Sequence, residues 1–216
     1  MNAFAMEKPA SRQEPRRLKT RAALLAAGLK LLADRPIDGI SVDDIVRHAG
    51  VAKGSFFNHF ADKDDFALAV AAEIRNGVEA KIAVANRDVG DPALRVAQGI
   101  CCFVQFALAE RSAAKIFARV HLSSVGADHP LNAGVRADVA LGVGKKRFAL
   151  ASVEAGVVCV VGVAQGLLAS VIAKKAKHDE ARSLSIDVLT VLLTGFAIET
   201  KEARRLASFA ALSLIA

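Results

Sequence analysis

The chain has 216 residues, of which 53% are hydrophobic, with 5 prolines, 11 phenylalanines and neither Trp nor Tyr. This is too apolar for a disordered chain, and long enough for one large or two small domains with a substantial core. The formal charge of +7 suits nucleic acid, an anionic membrane surface, or solubility alone.

Three cysteines, Cys101, Cys102 and Cys159, are odd in number and include an adjacent pair without CxxC spacing. That argues against a disulfide framework and against a zinc site. Buried thiols in a reducing cytoplasm are expected, with a redox-sensing thiol as the alternative. The first residues lack the apolar stretch of a signal peptide, so the expected location is cytoplasmic.

Residues 1–15 are polar and broken by Pro9 and Pro15, and a disordered arm is expected there. A first helix is predicted over 16–35, with Leu18, Ala22, Leu25, Leu29 and Leu32 at helical spacing. Arg12, Arg16, Arg17, Lys19 and Arg21 cluster at its start, opposed only by Glu14. Pro36 stops it, and Asp38-Gly39 reads as a turn. Ser41 with Asp44 three residues later forms a capping-box pattern that opens a short helix with Val42, Ile45 and Val46 on its apolar face. Gly50 lets the chain turn.

Residues 51–66 read VAKGSFFNHFADKDDF. At 100° per residue, Phe56 and Phe60 fall together and point into a core with Leu25, Leu29, Val42 and Ile45. Gly54, Ser55 and Asn58 fall on the opposite side, and Phe57 lies on the flank. Asp62 with Asp65 caps a fourth helix through Phe66, Leu68, Val70 and Ile74. Two short helices joined at a glycine turn form a helix-turn-helix, whose second helix enters a DNA major groove. The basic cluster would meet the phosphates.

Beyond a break at Gly90-Asp91-Pro92, helices are predicted over 93–110, 112–121, 131–143, 152–177, 179–194 and 200–214. The predicted class is all-α. Gln98, Cys102 and Gln105 recur along one helix with Phe103 and Phe106 beside them, and Phe117, His121 and Gln165 join from elsewhere. They read either as a ligand pocket with a few orienting polar groups or as a core with satisfied ones. Residues 155–175 are long and apolar enough to span a bilayer, with Gly162 and Gly166 at GxxxG spacing. The alternative is a helix buried on all sides, and no second span is expected. No catalytic constellation, phosphate loop or metal-ligand spacing is visible, so neither an enzyme, a cofactor nor a metal is expected.

From Ala23 to Phe66 the chain resembles the DNA-binding domain of the TetR family of bacterial transcriptional regulators. The matching words are the turn Ala49-Gly50-Val51, the string GSFFNHF, and Asp62-Lys63-Asp64-Asp65. They cover about the first third; the remainder is similar only as an all-helical domain of suitable length. The resemblance implies a helix-turn-helix domain over 16–75, with the motif itself at 41–60, and a helical effector-binding and dimerisation domain over 76–216. It implies a DNA face of Arg16, Arg17, Arg47, Lys53, Gly54, Ser55, Phe57, Asn58, His59 and Lys63. It implies a pocket for a small apolar effector, for which Cys102, Phe103, Gln105, Phe106, Phe117, His121 and Gln165 are the candidates. It also implies a homodimer on double-stranded DNA with a palindromic operator, pairing through Gly162, Gly166, Ser170, Val188 and Leu192 and so needing no membrane. The implied function is a transcriptional regulator, a repressor released by its effector. The alternative is a DNA-binding protein regulated by a protein partner, without a small-molecule pocket. Three positions depart from the family pattern: Phe57 stands where Tyr is usual, Ala52 where Ser or Thr often caps the recognition helix, and Val46 where Ala is favoured.

Overall fold

Alanine- and leucine-rich segments with helical periodicity become helices throughout. The computed structural model describes residues 13–120 and 132–215 and contains no strand among them. His121 therefore lies outside the described residues, as does most of the predicted arm. The described residues fall into two compact units whose boundary lies at Val70/Ala71, inside one continuous helix.

The first unit holds α1 (Gln13–Asp34), a 3-10 turn (Ile37–Gly39), α2 (Val42–Ala49), α3 (Lys53–Phe57) and the start of α4 (Lys63–Ala85). α1 begins three residues before the expected position, and Pro15 sits in its first turn. Pro is tolerated there because the first N–H groups of a helix have no intrahelical acceptor. The buried face of α1 runs through Leu24, Leu25, Gly28, Leu31 and Leu32, while Leu29 is half-buried and Leu18 is 64% exposed. The predicted stripe was thus rotated. Leucines spread around the helix leave the centre of its apolar arc undefined until neighbours pack on it.

The caps of α2 follow the sequence pattern. Ser41 Oγ accepts from the Asp44 N–H at 3.0 Å, and Asp44 Oδ2 accepts from the Ser41 N–H at 3.3 Å. Gly50 ends the helix at φ +66°, the left-handed region that glycine enters without penalty. The Val51 N–H then donates to Val46 O at 3.0 Å, which closes the turn into α3. Ala52 starts α3 without a side-chain cap. α3 is shorter than predicted and stops at Phe57, but the Phe60 N–H still donates to Phe56 O at 3.0 Å. Phe56 and Phe60 are both buried, and Phe66 completes a cluster with ring centroids 5.1 to 5.5 Å apart. Phe66, Val70 and Ile74 of α4 are buried, while Leu68 is exposed.

The second unit holds the rest of α4, α5 (Pro92–Ala109), α6 (Arg111–Val120), α7 (Ala133–Gly144), α8 (Val153–Ala173), α9 (His178–Gly195) and α10 (Thr200–Leu214). α5 is the central helix, packed against α7, α8 and α10. Asp91 caps it, Oδ1 accepting from the Ala93 N–H at 3.0 Å, with Pro92 at its first position. Arg147 ties that cap to α10 by pairing with Asp91 at 3.1 Å and Glu202 at 2.7 Å.

Two helices among the described residues, Pro92–Ala109 and Val153–Ala173, are long and apolar enough to cross a membrane, where the sequence suggested one. The first is a core helix, 72% buried; the second is only 39% buried within the chain. Cys101 and Cys102 are buried, and burial pushes both thiols up, Cys102 to about 11. Cys159, expected to be buried, is exposed on α8.

Gly28 marks the close approach of α1 to α4. A Cβ there would lie 2.5 Å from Phe66 Cζ and 2.7 Å from Val70 Cγ2. Gly28→Ala is predicted to lower stability by about 1–2 kcal/mol, the overpacking cost outweighing the roughly 1 kcal/mol that Ala gains in a helix. A thermal melt showing an unchanged or higher midpoint would refute the close contact.

Candidate DNA-binding face and effector cavity

α3 is held by its buried rings, so its other side faces outward. Gly54, Phe57 and Asn58 are exposed, Ser55 and His59 partly so. Phe57 is 56% exposed, its ring edge-on to Phe56. Ser55, Asn58 and His59 line an open cleft whose other wall is the start of α1, with Glu14, Arg16, Arg17 and Thr20. The sequence had not singled out Thr20 for this cleft. Arg16 and Arg17 carry no ion pair among the described residues, and both are exposed. Partial burial, then Arg17 and Arg21, push the His59 imidazole below its ordinary range, so it is neutral at pH 7 and able both to donate and to accept.

The other expected cations are less free. Lys53 Nζ pairs with Asp43 at 3.0 Å, and Arg47 pairs with Asp44. Both pairs are exposed and exchangeable. Lys63, expected as a phosphate contact, is turned inward. Its Nζ donates to Ile37 O at 3.3 Å and Ile40 O at 3.0 Å, satisfying carbonyls of the turn between α1 and α2.

In the second unit a cavity of about 390 Å³ lies among α4, α5, α7 and α8. α5 presents Val96, Gly99, Ile100 and Phe103 to it, a stripe at i, i+3, i+4 and i+7. Phe117, Val160, Val161 and Leu168 add apolar wall. Of the candidates, Phe103, Phe117 and Gln165 line this cavity. Cys102, Gln105 and Phe106 do not: the first two are rotated off the stripe, and the stripe ends before the third.

The cavity's charged residues were missed. Arg75 Nε donates to Glu79 Oε1 at 2.7 Å, and its guanidinium lies 4.7 Å from the centre of the Phe103 ring. Burial pushes Arg75 below its ordinary range, and Glu79 opposes that. Arg95 Nε donates to Asp138 Oδ1 at 2.5 Å, while its Nη1 donates to Asn86 O at 2.8 Å and Val89 O at 3.3 Å. The available signals were an i,i+4 Arg–Glu pair on α4 and one aspartate in the apolar run of α7.

The expected pairing residues also divide. Gly162 and Gly166 are exposed, with nothing within 4 Å of an added Cβ, and Ser170 and Val188 are half-buried. Leu192 is buried within its own chain and is not part of an open surface. Val191, at 73% exposure, is the outward residue of that turn.

A helix-turn-helix with a cationic cleft, followed by an all-helical unit with an internal cavity, is the build of a ligand-bearing DNA-binding protein. Residues 24–70 match the profile described as bacterial regulatory proteins, tetR family. That match covers the helix-turn-helix unit of the chain, which is similar to the DNA-binding domain of that family. An uncharacterized HTH-type transcriptional regulator of Bacillus subtilis, YwcC, is 49% identical over 53 residues, 24% of each chain. The chain thus spans about a quarter of that curated relative. A solved tetR-family regulator from Shewanella sp. PV-4 superposes with a TM-score of 0.71 at 19% identity, covering 83% of this chain and 99% of that one. RolR in complex with resorcinol superposes at 0.65 with 21% identity, covering 90% and 95%. These two likenesses establish the fold.

Lys63→Met is predicted to destabilise the first unit by about 1–3 kcal/mol, through two carbonyls left without their charged donor. Chemical denaturation in the absence of DNA measures it. Full stability in the variant would return Lys63 to a purely external role.

Proposed function

We propose that the chain is a sequence-specific, homodimeric transcriptional regulator of the cytoplasm, a repressor that leaves a palindromic operator when a small molecule occupies the cavity. The observation that carries this reading is the cleft between α1 and α3: small and hydrogen-bonding residues at Ser55, Asn58 and His59 face Arg16 and Arg17, which have no ion-pair partner among the described residues. Side chains of the first kind read base edges, and arginines of the second kind hold phosphates. A twofold dimer would place two such faces on adjacent turns of DNA, about 34–36 Å apart.

The cavity favours regulation by a small molecule over regulation by a protein partner, because it is a concave site between helices whose apolar wall carries polar groups able to orient a ligand. The ligand that RolR holds in its solved complex, resorcinol, is a molecule of the size such a cavity admits. Arg75, Glu79 and Ile82 of the wall belong to α4, which begins in the DNA-binding unit. An effector acts by preferring one arrangement of that helix, and by no more than its differential affinity for the two.

The dimer reading rests on α8. A helix with mean hydropathy 2.2 that is only 39% buried leaves an apolar face that a second copy would cover. Phe209 and Leu212 of α10 are exposed apolar residues as well.

Selection of bound duplexes from a random pool tests the function directly. On the selected operator, Asn58→Ala is predicted to blur sequence preference. Arg17→Ala should weaken all sequences about equally and flatten the salt dependence by roughly one unit of slope. The reverse assignment of effects would show that the roles are exchanged; failure to enrich any sequence would end the regulator reading.

Gly166→Arg is predicted to yield monomers or aggregates, since it places a charge on the open face of α8. Light scattering at tens of micromolar is the measurement. A well-folded dimeric Gly166→Arg protein would place the pairing surface elsewhere.

A further inference from the structure

The less exposed charges around the cavity are matched in pairs. Arg75 faces Glu79, and Arg95 faces Asp138. A ligand carboxylate would have to displace Glu79 or Asp138 from its arginine, and a ligand ammonium would have to displace an arginine from its carboxylate. Either exchange leaves an uncompensated charge in a half-buried site, which is strongly unfavourable. Arg87 also borders the cavity, but it is exposed, where water and salt screen it.

Two polar atoms remain. Asn86 is buried, at 3% exposure, and borders the cavity. Its Nδ2 donates to Arg95 O at 3.2 Å, which fixes which end of the amide is which. Its Oδ1 then finds no donor among the described residues. Gln165 Nε2, on the α8 part of the wall, finds no acceptor among the described residues. Gln98 and Gln105 also leave an oxygen unpaired, but neither borders the cavity. Buried polar groups are normally satisfied, and these two belong to residues of the cavity wall and lack a partner there. Ile100, Phe103, Phe117 and Leu168 supply apolar and aromatic wall.

We propose that this cavity binds an uncharged, ring-bearing molecule that donates a hydrogen bond to Asn86 and accepts one from Gln165. This rests on the effector-regulated reading given above and names the chemistry of its ligand. Acids and amines of the same shape are excluded by the matched charges, and plain hydrocarbons leave the two amides unsatisfied. A cavity of about 390 Å³ has room for two fused rings with polar substituents.

Isothermal titration of the full chain with one skeleton in several forms tests this. The probes are naphthalene, naphthol, the dihydroxynaphthalene isomers, naphthoate and naphthylmethylammonium. At least one hydroxylated form should bind tenfold or more tightly than the acid, the amine and the hydrocarbon. Gln165→Leu, with an unchanged helical spectrum, should lose about tenfold of that affinity, the scale of one neutral hydrogen bond. If Gln165→Leu does not fold, Gln165→Met carries the same comparison. Gly99→Phe, at a wall position where an added Cβ would meet only Ile82 Cγ2 at 3.9 Å, should fill the cavity and abolish binding. Tightest binding by the acid or the amine overturns the proposal, as does parity between naphthalene and its hydroxylated forms. Binding unaffected by the loss of Gln165's amide, or no binding by any probe, also overturns it. A gel shift on the selected operator separates the two readings. A chain that binds operator but no hydroxylated probe loses only the ligand assignment. A chain that binds the probe as described but no DNA keeps this assignment and loses the regulator reading.

Discussion

A helix of five residues cannot hold itself together in water, because nucleating a helix costs more than one turn of hydrogen bonds returns. α3 exists because Phe56 is buried against Phe60 and Phe66. Everything on its outer side depends on that anchorage. With the rings locked, Ser55, Asn58 and His59 can only point toward the cleft shared with α1. The missing side-chain cap at Ala52 makes the dependence greater, since tertiary packing must supply what local hydrogen bonding does not. Gly28 and Lys63 serve the same end from other sides, one by letting α4 close on α1, the other by tying the turn before α2.

What could be read from the sequence was whatever has a local cause. The Ser41–Asp44 box, the glycine turn at Gly50, and the Asp91-Pro92 start of α5 are each set by residues within a few positions, and each appears in the structure. The paired burial of Phe56 and Phe60 was legible because polar residues between them define an opposite face. Where helices are apolar around most of their circumference, that contrast vanishes. The stripe of α1 was placed through Leu18 and Leu29, Leu192 was placed on an open surface, and Cys159 was placed inside. In each case burial depends on which neighbour arrives, and no side of the helix itself says so.

The cavity shows the opposite limit. Polar and aromatic residues within apolar helices marked Phe103, Phe117 and Gln165 in the sequence, whereas Arg75, Glu79, Arg95 and Asp138 carried no such mark. Charged side chains normally sit in water, so single ones in sequence read as surface. Only the pairing of α5 with α7, forty-three residues apart in the chain, brings Arg95 to Asp138. The less exposed charges of this wall are therefore carried as two closed pairs, which makes them compatible with the apolar side chains around them.

The two ion pairs on the outer side of α2 and α3, Lys53 with Asp43 and Arg47 with Asp44, have a bearing on the proposed meeting with DNA. Each lysine or arginine arrives with its anion covalently attached to the same small domain. Binding then exchanges a carboxylate for a phosphate and leaves the carboxylate behind, close to the duplex. Fewer small ions are set free than the number of basic residues suggests, and the abandoned aspartates repel the backbone. Such a surface holds random sequence weakly. It makes occupancy depend on base contacts that only the right sequence can offer.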